Sequence, residues 1–171
     1  GTLQRNKARH AVGAFELIHS VDSIALAREI DKRARATGRP QRILLEVNLA
    51  GEATKGGFTP EGVFADAPAI GALPGLRLLG LMAVPPEAED PEESRPHFRA
   101  LRELRDEIRR RGYAGEAFRD LSMGMSQDFE AAISEGATMV RIGTALFGER
   151  PSSRPSPKGE GENHPASFGR G

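Results

Sequence analysis

The sequence predicts an α/β fold in which about five parallel strands alternate with helices. Short, mostly apolar runs recur along the chain, as is typical of strands buried in a parallel sheet. Between them lie longer segments in which apolar residues have helical spacing and helix-start and helix-stop signals occur. Because the intervening connections are short, we expect right-handed crossovers between neighbouring strands.

The first two predicted strands are separated by one helix. Residues 15–21 form a short apolar strand, directly followed by residues that can cap a helix. Residues 24–36 place their apolar side chains on one side, which predicts a helix that ends at Gly38. Residues 43–49 are apolar and β-branched, as expected for the next buried strand.

A second helix and a third strand follow. Pro60 suits the first position of a helix, which should run unevenly to about residue 73 because Pro68 interrupts it. Residues 76–84 read as the third buried strand. Residues 97–111 are strongly charged but carry a regular apolar stripe, which predicts a helix with one face in the core.

The last elements are a strand at 118–123, a short helix at 127–135 and a strand at 138–142. Five strand–helix units do not close an eight-stranded barrel, so we expect a partial barrel. We assign residues 1–149 to this domain. Residues 150–171 are rich in Pro, Ser, Gly and charge, and we expect a disordered tail there.

Composition excludes several classes of function. Lys plus Arg and Asp plus Glu number 24 each, so no net charge attracts nucleic acid or an anionic membrane. The chain has no Cys, which fits a cytoplasmic protein, and we find neither a signal-peptide pattern nor an apolar run of about 18 residues. The four His residues lack metal-ligand spacing, so we expect no metal.

The turns after the last two predicted strands give the strongest indication of a binding site. Ser126 is expected to cap the following helix, so its hydroxyl and the first N–H groups would point to one spot. Arg141 and Gly143 share a face of the last strand, and Thr144 adds a hydroxyl. Either feature alone has a plain structural explanation, a helix cap or an arginine paired with a carboxylate. Because the two turns follow neighbouring predicted strands, together they favour a phosphate site.

Other candidates are weaker. Lys55 with the glycines after it could hold an anion, but the segment lacks the full P-loop pattern. Glu46 and Asn48 share a strand face and could reach a barrel interior or form a buried polar pair. His19 lies in a predicted strand.

A series of motifs resembles the pyridoxal-phosphate homeostasis protein family. That family is similar to the N-terminal barrel domain of alanine racemase, a modified TIM barrel, so the resemblance implies a partial TIM-type barrel. It covers residues 1–149. The motifs are G-x-L-Q-x-N-K at 1–7, H-S-V-D at 19–22, K-G at 55–56, G-L-M at 80–82, S-M-G-M-S at 122–126 and R-I-G-T at 141–144.

The resemblance implies a pyridoxal 5′-phosphate carrier or regulator in vitamin B6 homeostasis, with no catalytic residue. Ser126, Gly143 and Thr144 would bind the cofactor phosphate, and Met125 would line the pocket. Arg141 would face the pyridine nitrogen. A cation there opposes protonation of the ring and weakens it as an electron sink, which suits a carrier.

By the same resemblance, Gln4 and Asn6 belong to the rim of the cofactor site. Family members carry a Schiff-base lysine in a segment before the G-x-L-Q-x-N-K motif. We expect this chain to be a fragment that lacks it, because Lys7 and Lys55 match other positions of the pattern. Full-length members are expected to be monomers, whereas the oligomeric state of this chain stays open.

Two alternatives remain. One is a fragment of a pyridoxal-phosphate-dependent amino-acid racemase, which would also need a tyrosine from a separate C-terminal β-domain. The only tyrosine here, Tyr113, lies past a predicted helix end, away from the proposed site. The other alternative is a different phosphate-binding barrel that holds a sugar phosphate.

Overall fold

A single curved parallel sheet organises the chain. The computed structural model describes residues 2–52 and 55–148, and within them five strands pair in the order β1-β2-β3-β4-β5. Each strand pairs in parallel with its neighbour along the chain, so the predicted α/β architecture is confirmed. The strands are β1 Leu17–Val21, β2 Gln41–Glu46, β3 Leu76–Met82, β4 Asp120–Met125 and β5 Met139–Arg141.

Helices follow the strands in the predicted alternation, and short helical turns precede β1 and α4. The α-helices are α1 Ala8–Ala11, α2 Ile24–Thr37, α3 Pro60–Gly71, α4 Arg95–Arg110, α5 Phe129–Ser134 and α6 Thr144–Phe147; the 3-10 turns are Arg5–Lys7 and Pro91–Ser94. No helix in the described part of the chain has the length and apolar character needed to cross a membrane.

The element boundaries differ from the prediction where side chains alter the backbone path. Strand β2 ends at Glu46 rather than residue 49, because Val47 forms an isolated bridge with Phe58 and the Asn48 amide donates to the carbonyl of Glu52 at 2.8 Å. Helix α4 begins at Arg95, two residues earlier than predicted, since a capped 3-10 turn leads into it. The predicted tail, 150–171, lies outside the described residues.

The main core lies between the outer face of the sheet and the helices. In α4 the buried side chains are those of the predicted stripe, Phe98, Leu101, Leu104 and Ile108. They pack in one cluster with outward-facing strand residues such as Leu81. Truncating a buried Phe of this kind to Ala costs about 3–5 kcal/mol, so α4 is a principal stabilising element.

The sheet curls strongly, as a partial barrel requires. Strands β2 and β3 separate β1 from β4, and in a flat sheet three strand spacings would amount to about 14 Å. Nevertheless, His19 Nδ1 on β1 lies 2.9 Å from Ser122 Oγ on β4. The inner face of the sheet therefore bends around these side chains, which brings non-adjacent strands within hydrogen-bonding distance.

Two glycines permit the close approaches that shape β4. Gly80 on β3 faces Asp120, and a Cβ at position 80 would overlap the Asp120 carbonyl. Gly124 has φ +91°, and a Cβ there would lie 2.6 Å from the Cβ of Ala132 on α5. The Gly80 contact lies at the start of β4, and the Gly124 contact lies near its end, where the following turn begins.

The end of α5 is held against α4 by a group of ion pairs. The largely buried carboxylate of Glu135 lies 2.9 Å from Arg102 and 3.0 Å from Arg99. Arg95 lies 3.5 Å from the same carboxylate. These contacts fix the β4–α5 unit relative to the longest helix.

Candidate functional site

A cleft of about 490 Å³ opens at the carboxyl ends of β3, β4 and β5. Its walls are the segment after β3, the turn after β4, and the passage from β5 into α6. Ligands of parallel α/β folds bind at this edge, because loops and helix starts from several strands converge there.

The two predicted turns are in contact. Ser126 Oγ accepts hydrogen bonds from the backbone N–H groups of Gly143 and Ala145, each at 3.2 Å. The hydroxyl, two backbone donors and the start of α6 thus lie within one small region. We call this region, Ser126 with residues 143–145, the paired turns.

The predicted role of Ser126 as a helix cap is wrong. Asp128 is the N-cap residue of α5, and its Oδ1 accepts from Met125 N at 2.7 Å. The turn after β4 folds back on itself around this carboxylate. It therefore leaves the Ser126 hydroxyl free to reach the neighbouring strand end rather than its own helix.

Gly143 presents an open side to the cleft. Its φ is −119°, which other residues also adopt, and a Cβ built on it would meet no protein atom within 4 Å. Its small size is therefore not required by packing in this structure. The space beside its backbone is wide enough for a ligand oxygen to approach the chain closely.

Arg141 lies at the inner wall of the cleft, and both terminal nitrogens of its guanidinium are hydrogen-bonded. Nη1 donates to Ser122 Oγ at 2.7 Å and Nη2 donates to the Ala83 carbonyl at 3.0 Å. Within residues 2–52 and 55–148, no ion pair of 4.0 Å or less joins it to a carboxylate. Burial lowers the pKa of Arg141, and the charges of Asp128 and Glu46 oppose that shift.

Two further ionisable groups lie on the inner face. Burial lowers the pKa of His19, and the Arg141 charge lowers it further. Burial raises the pKa of Glu46, with a contribution from Asp22. The Glu46 Oε2 atom is buried without a hydrogen-bond partner among the described residues. The inner face thus has one largely buried cation and two groups whose charged forms are disfavoured by burial.

An apolar wall also lines the cleft. Val84, Pro85 and Pro86 follow β3 and line the cleft, and Ala88 and Pro91 continue the wall. A flat, largely apolar ring could pack against such a surface, while polar substituents meet the backbone donors across the cleft.

Five of the seven predicted site residues lie together. Met125, with 38 % of its surface exposed, lines the cleft with the other four, Ser126, Arg141, Gly143 and Thr144.

Gln4 and Asn6 do not line the cleft. Both are exposed on the segment before β1. That segment nonetheless reaches the same edge of the sheet, since Thr2 Oγ1 lies 3.8 Å from where a Cβ on Gly56 would be. Their place at the rim of a cofactor site therefore stays a prediction.

Sequence reasoning missed Ser122 and Ala83 as partners of Arg141. Ser122 occurs in the S-M-G-M-S motif, but its contact partners come from β1 and β5, and no local pattern indicates them. Lys55, considered as an anion ligand, lines the cleft and pairs with Glu52 at 2.8 Å. Among the described residues, no group of three or more His, Cys, Asp and Glu side chains could hold a metal ion.

Comparison with known proteins places this chain in a family. The family model described as alanine racemase, N-terminal domain, matches residues 1–151. The pyridoxal phosphate homeostasis protein of Aquifex aeolicus is 53 % identical over 150 residues, covering 88 % of this chain and 65 % of the relative. The protein of the same name from Pseudomonas aeruginosa is 43 % identical over 156 residues, covering 91 % and 65 %.

A solved structure gives the same result. PipY of Synechococcus elongatus, determined with PLP bound, is 38 % identical and superposes with a TM-score of 0.79 over 86 % of this chain and 68 % of PipY. The chain spans about 65 % of the length of the two curated relatives. The chain belongs to the alanine racemase N-terminal domain family, in the group of the pyridoxal phosphate homeostasis proteins.

Proposed function

We propose that this chain binds pyridoxal 5′-phosphate in the cleft and serves vitamin B6 homeostasis in the cell without catalysing a reaction. The observation that carries the proposal is Arg141, a largely buried cation held by a hydroxyl and a carbonyl beside the paired turns. The names of the relatives and the PLP-bound state of PipY support it. The cytoplasmic location and the monomeric state of full-length members stay predictions from the sequence.

The paired turns fit the phosphate of this cofactor. The backbone N–H groups of Gly143 and Ala145 and the hydroxyls of Ser126 and Thr144 are donors of the kind that bind phosphate oxygens. The open side of Gly143 leaves room for an oxygen next to the backbone. In the proposed complex, the two amides and the hydroxyls of Ser126 and Thr144 would hold the phosphate oxygens.

Arg141 is suited to bind the pyridine ring of this cofactor. When bound, the cofactor supplies an electrophilic aldehyde and a ring that can delocalise negative charge. A guanidinium fixed near the ring nitrogen would donate a hydrogen bond to that nitrogen and would oppose its protonation. An unprotonated ring is a weaker electron sink, so Arg141 suits holding the cofactor better than carbanion chemistry.

The position of Tyr113 also supports a non-catalytic role. Tyr113 follows the C-terminal end of α4 and contacts the end of α3, where Gly71 lies near its carbonyl. The helices of such a fold run back from the carboxyl ends of the strands, so this residue lies at the edge opposite the cleft. A racemase-like reaction with this tyrosine as the proton donor would need a different arrangement.

Calorimetric titration of the purified chain with pyridoxine 5′-phosphate tests the proposal. This ligand keeps the ring and the phosphate but has no aldehyde, so surface lysines cannot form an imine with it. We expect saturable one-to-one binding, with at least about tenfold weaker binding of pyridoxine, which lacks the phosphate. No heat of binding with the phosphorylated ligand would overturn the proposal.

Two further measurements separate the alternatives. Ribose 5-phosphate should bind at least about tenfold more weakly than pyridoxine 5′-phosphate, because it has no aromatic ring for Arg141. Equal affinity would favour a sugar-phosphate protein. Loss of optical rotation of L-alanine, incubated with the chain and pyridoxal 5′-phosphate, would favour an enzyme.

A further inference from the structure

A buried hydrogen-bond chain links three strands on the inner face of the sheet. Arg141 Nη1 on β5 donates to Ser122 Oγ on β4 at 2.7 Å. The same oxygen lies 2.9 Å from His19 Nδ1 on β1. Ser122 is fully buried, so bulk water does not supply alternative partners for its hydroxyl. We call His19, Ser122 and Arg141 the inner relay.

The direction of the hydrogen bonds follows from their chemistry. A guanidinium has only N–H donors, so the Ser122 oxygen accepts from Arg141. The hydroxyl still has one proton to donate, and His19 Nδ1 is the acceptor within reach. This arrangement satisfies the Ser122 hydroxyl both as acceptor and as donor if His19 is neutral, with Nδ1 unprotonated and its proton on Nε2.

The surroundings of His19 agree with this tautomer. Burial and the positive charge of Arg141 both disfavour the imidazolium, and Asp120 opposes them with a smaller effect. An imidazolium would present an N–H at Nδ1 and would turn the Ser122 hydroxyl away. The relay therefore depends on a neutral imidazole.

We propose that His19 and Ser122 are positioning residues that hold the guanidinium of Arg141 in the orientation that meets the ligand ring. Ser122 fixes Nη1 and the Ala83 carbonyl fixes Nη2, so two anchors define the plane of the fork. Without Ser122 the guanidinium could turn about its remaining anchor toward Asp128 or Glu46, whose charges already act on it. The ligand half of this inference rests on the proposed function, whereas the tautomer of His19 does not.

Nitrogen-15 NMR of the histidine rings in the full chain, without any ligand, tests the tautomer. We expect His19 to show an unprotonated Nδ1 and a protonated Nε2. Ser122→Ala should change the His19 ring signals, while those of His97 on α4 stay in place as an internal reference. Ser122→Thr keeps the hydroxyl and should restore the pattern. An Nδ1–H tautomer of His19 in the unmodified chain would overturn the relay.

Ligand binding tests the positioning role. We expect Ser122→Ala to weaken binding of pyridoxine 5′-phosphate about tenfold and to leave binding of inorganic phosphate unchanged, because the paired turns are intact. Ser122→Thr keeps the hydroxyl and should keep both affinities. Ser134→Ala on the exposed face of α5 is the matched control.

The outcomes distinguish the two proposals. If the unmodified chain binds no pyridoxine 5′-phosphate, the proposed function fails, and the ring signals of His19 still decide the relay. If the chain binds and folded Ser122→Ala binds equally well, the positioning role is wrong. Equal weakening of pyridoxine 5′-phosphate and inorganic phosphate would show a general structural effect and would also overturn it.

Discussion

The backbone nitrogen of Gly143 lies 3.2 Å from the hydroxyl oxygen of Ser126, so the turn after β4 contacts the start of α6. The two residues are 17 positions apart in the chain, and parallel pairing of β4 with β5 brings them together. Under the proposed function, phosphate oxygens take the place of this hydroxyl at the two amides. This contact is the basis for treating the paired turns as a phosphate site.

Replacing both hydroxyls of the paired turns should weaken binding of the phosphorylated ligand. For Ser126→Ala combined with Thr144→Ala we expect at least about tenfold weaker binding of pyridoxine 5′-phosphate, because hydrogen bonds to charged groups contribute about 1.5–3 kcal/mol each. Calorimetric titration measures the change. Ser134→Ala should bind like the unmodified chain, and equal affinity of the double variant would end the phosphate assignment.

A methyl group on Gly143 should affect the ligand and not the fold. The Cβ would meet no protein atom within 4 Å, so we expect Gly143→Ala to unfold at the same temperature as the unmodified chain, within error. The methyl group would fill the space assigned to a phosphate oxygen, and the affinity for pyridoxine 5′-phosphate should fall about tenfold.

Gly115→Ala is the matched control, since its Cβ also meets open space, far from the cleft. It should change neither the unfolding temperature nor the affinity. Undiminished binding by Gly143→Ala would place the phosphate elsewhere.

His19 should make the stability of the fold depend on pH. Folding lowers the pKa of its imidazole below the ordinary value of 6.5, so the unfolded chain binds a proton at higher pH than the folded chain. The contribution of His19 to the free energy of unfolding is therefore complete above 6.5 and is lost as the pH falls through the folded-state pKa.

Denaturant titrations between pH 5 and pH 8 measure this dependence. His19→Gln should flatten the profile, whereas His10→Gln, at an exposed position on α1, should leave it unchanged. Identical profiles for His19→Gln and the unmodified chain would contradict the burial argument.

Glu46 should destabilise the fold at neutral pH. Its folded-state pKa is raised above 4.5, so its contribution to the free energy of unfolding is most favourable below 4.5 and is lost as the pH rises through the raised value. Glu46→Gln removes the charge beside the unpartnered Oε2 position, and we expect a gain of about 1 kcal/mol at pH 7.

The gain should disappear near pH 4, where the carboxyl of the unmodified chain is already protonated. Glu89→Gln, in an exposed loop, is the control for removing one negative charge. A Glu46→Gln variant that is less stable than the unmodified chain at pH 7 would mean that the carboxylate has a partner in solution.

Local sequence patterns predicted most of the secondary structure. The apolar stripe of α4 and the Pro at the start of α3 act within a few residues, and both helices lie where the pattern indicated. The predicted end of β2 and the predicted N-cap of α5 were wrong. The first depends on a bridge to Phe58, and the second depends on the carboxylate of Asp128. Sequence periodicity does not indicate with which nearby group a side chain will form a hydrogen bond.

Local patterns were enough to predict the alternation of strands and helices, the family resemblance and five residues of the cleft, because the motifs S-M-G-M-S and R-I-G-T occur at strand ends. The contact of Ser126 with Gly143 and the link from His19 through Ser122 to Arg141 arise only when the chain is folded. The sheet curls, and its curl brings His19 on β1 and Arg141 on β5 each within 3 Å of the Ser122 hydroxyl on β4, although 122 residues separate the first from the last in the chain.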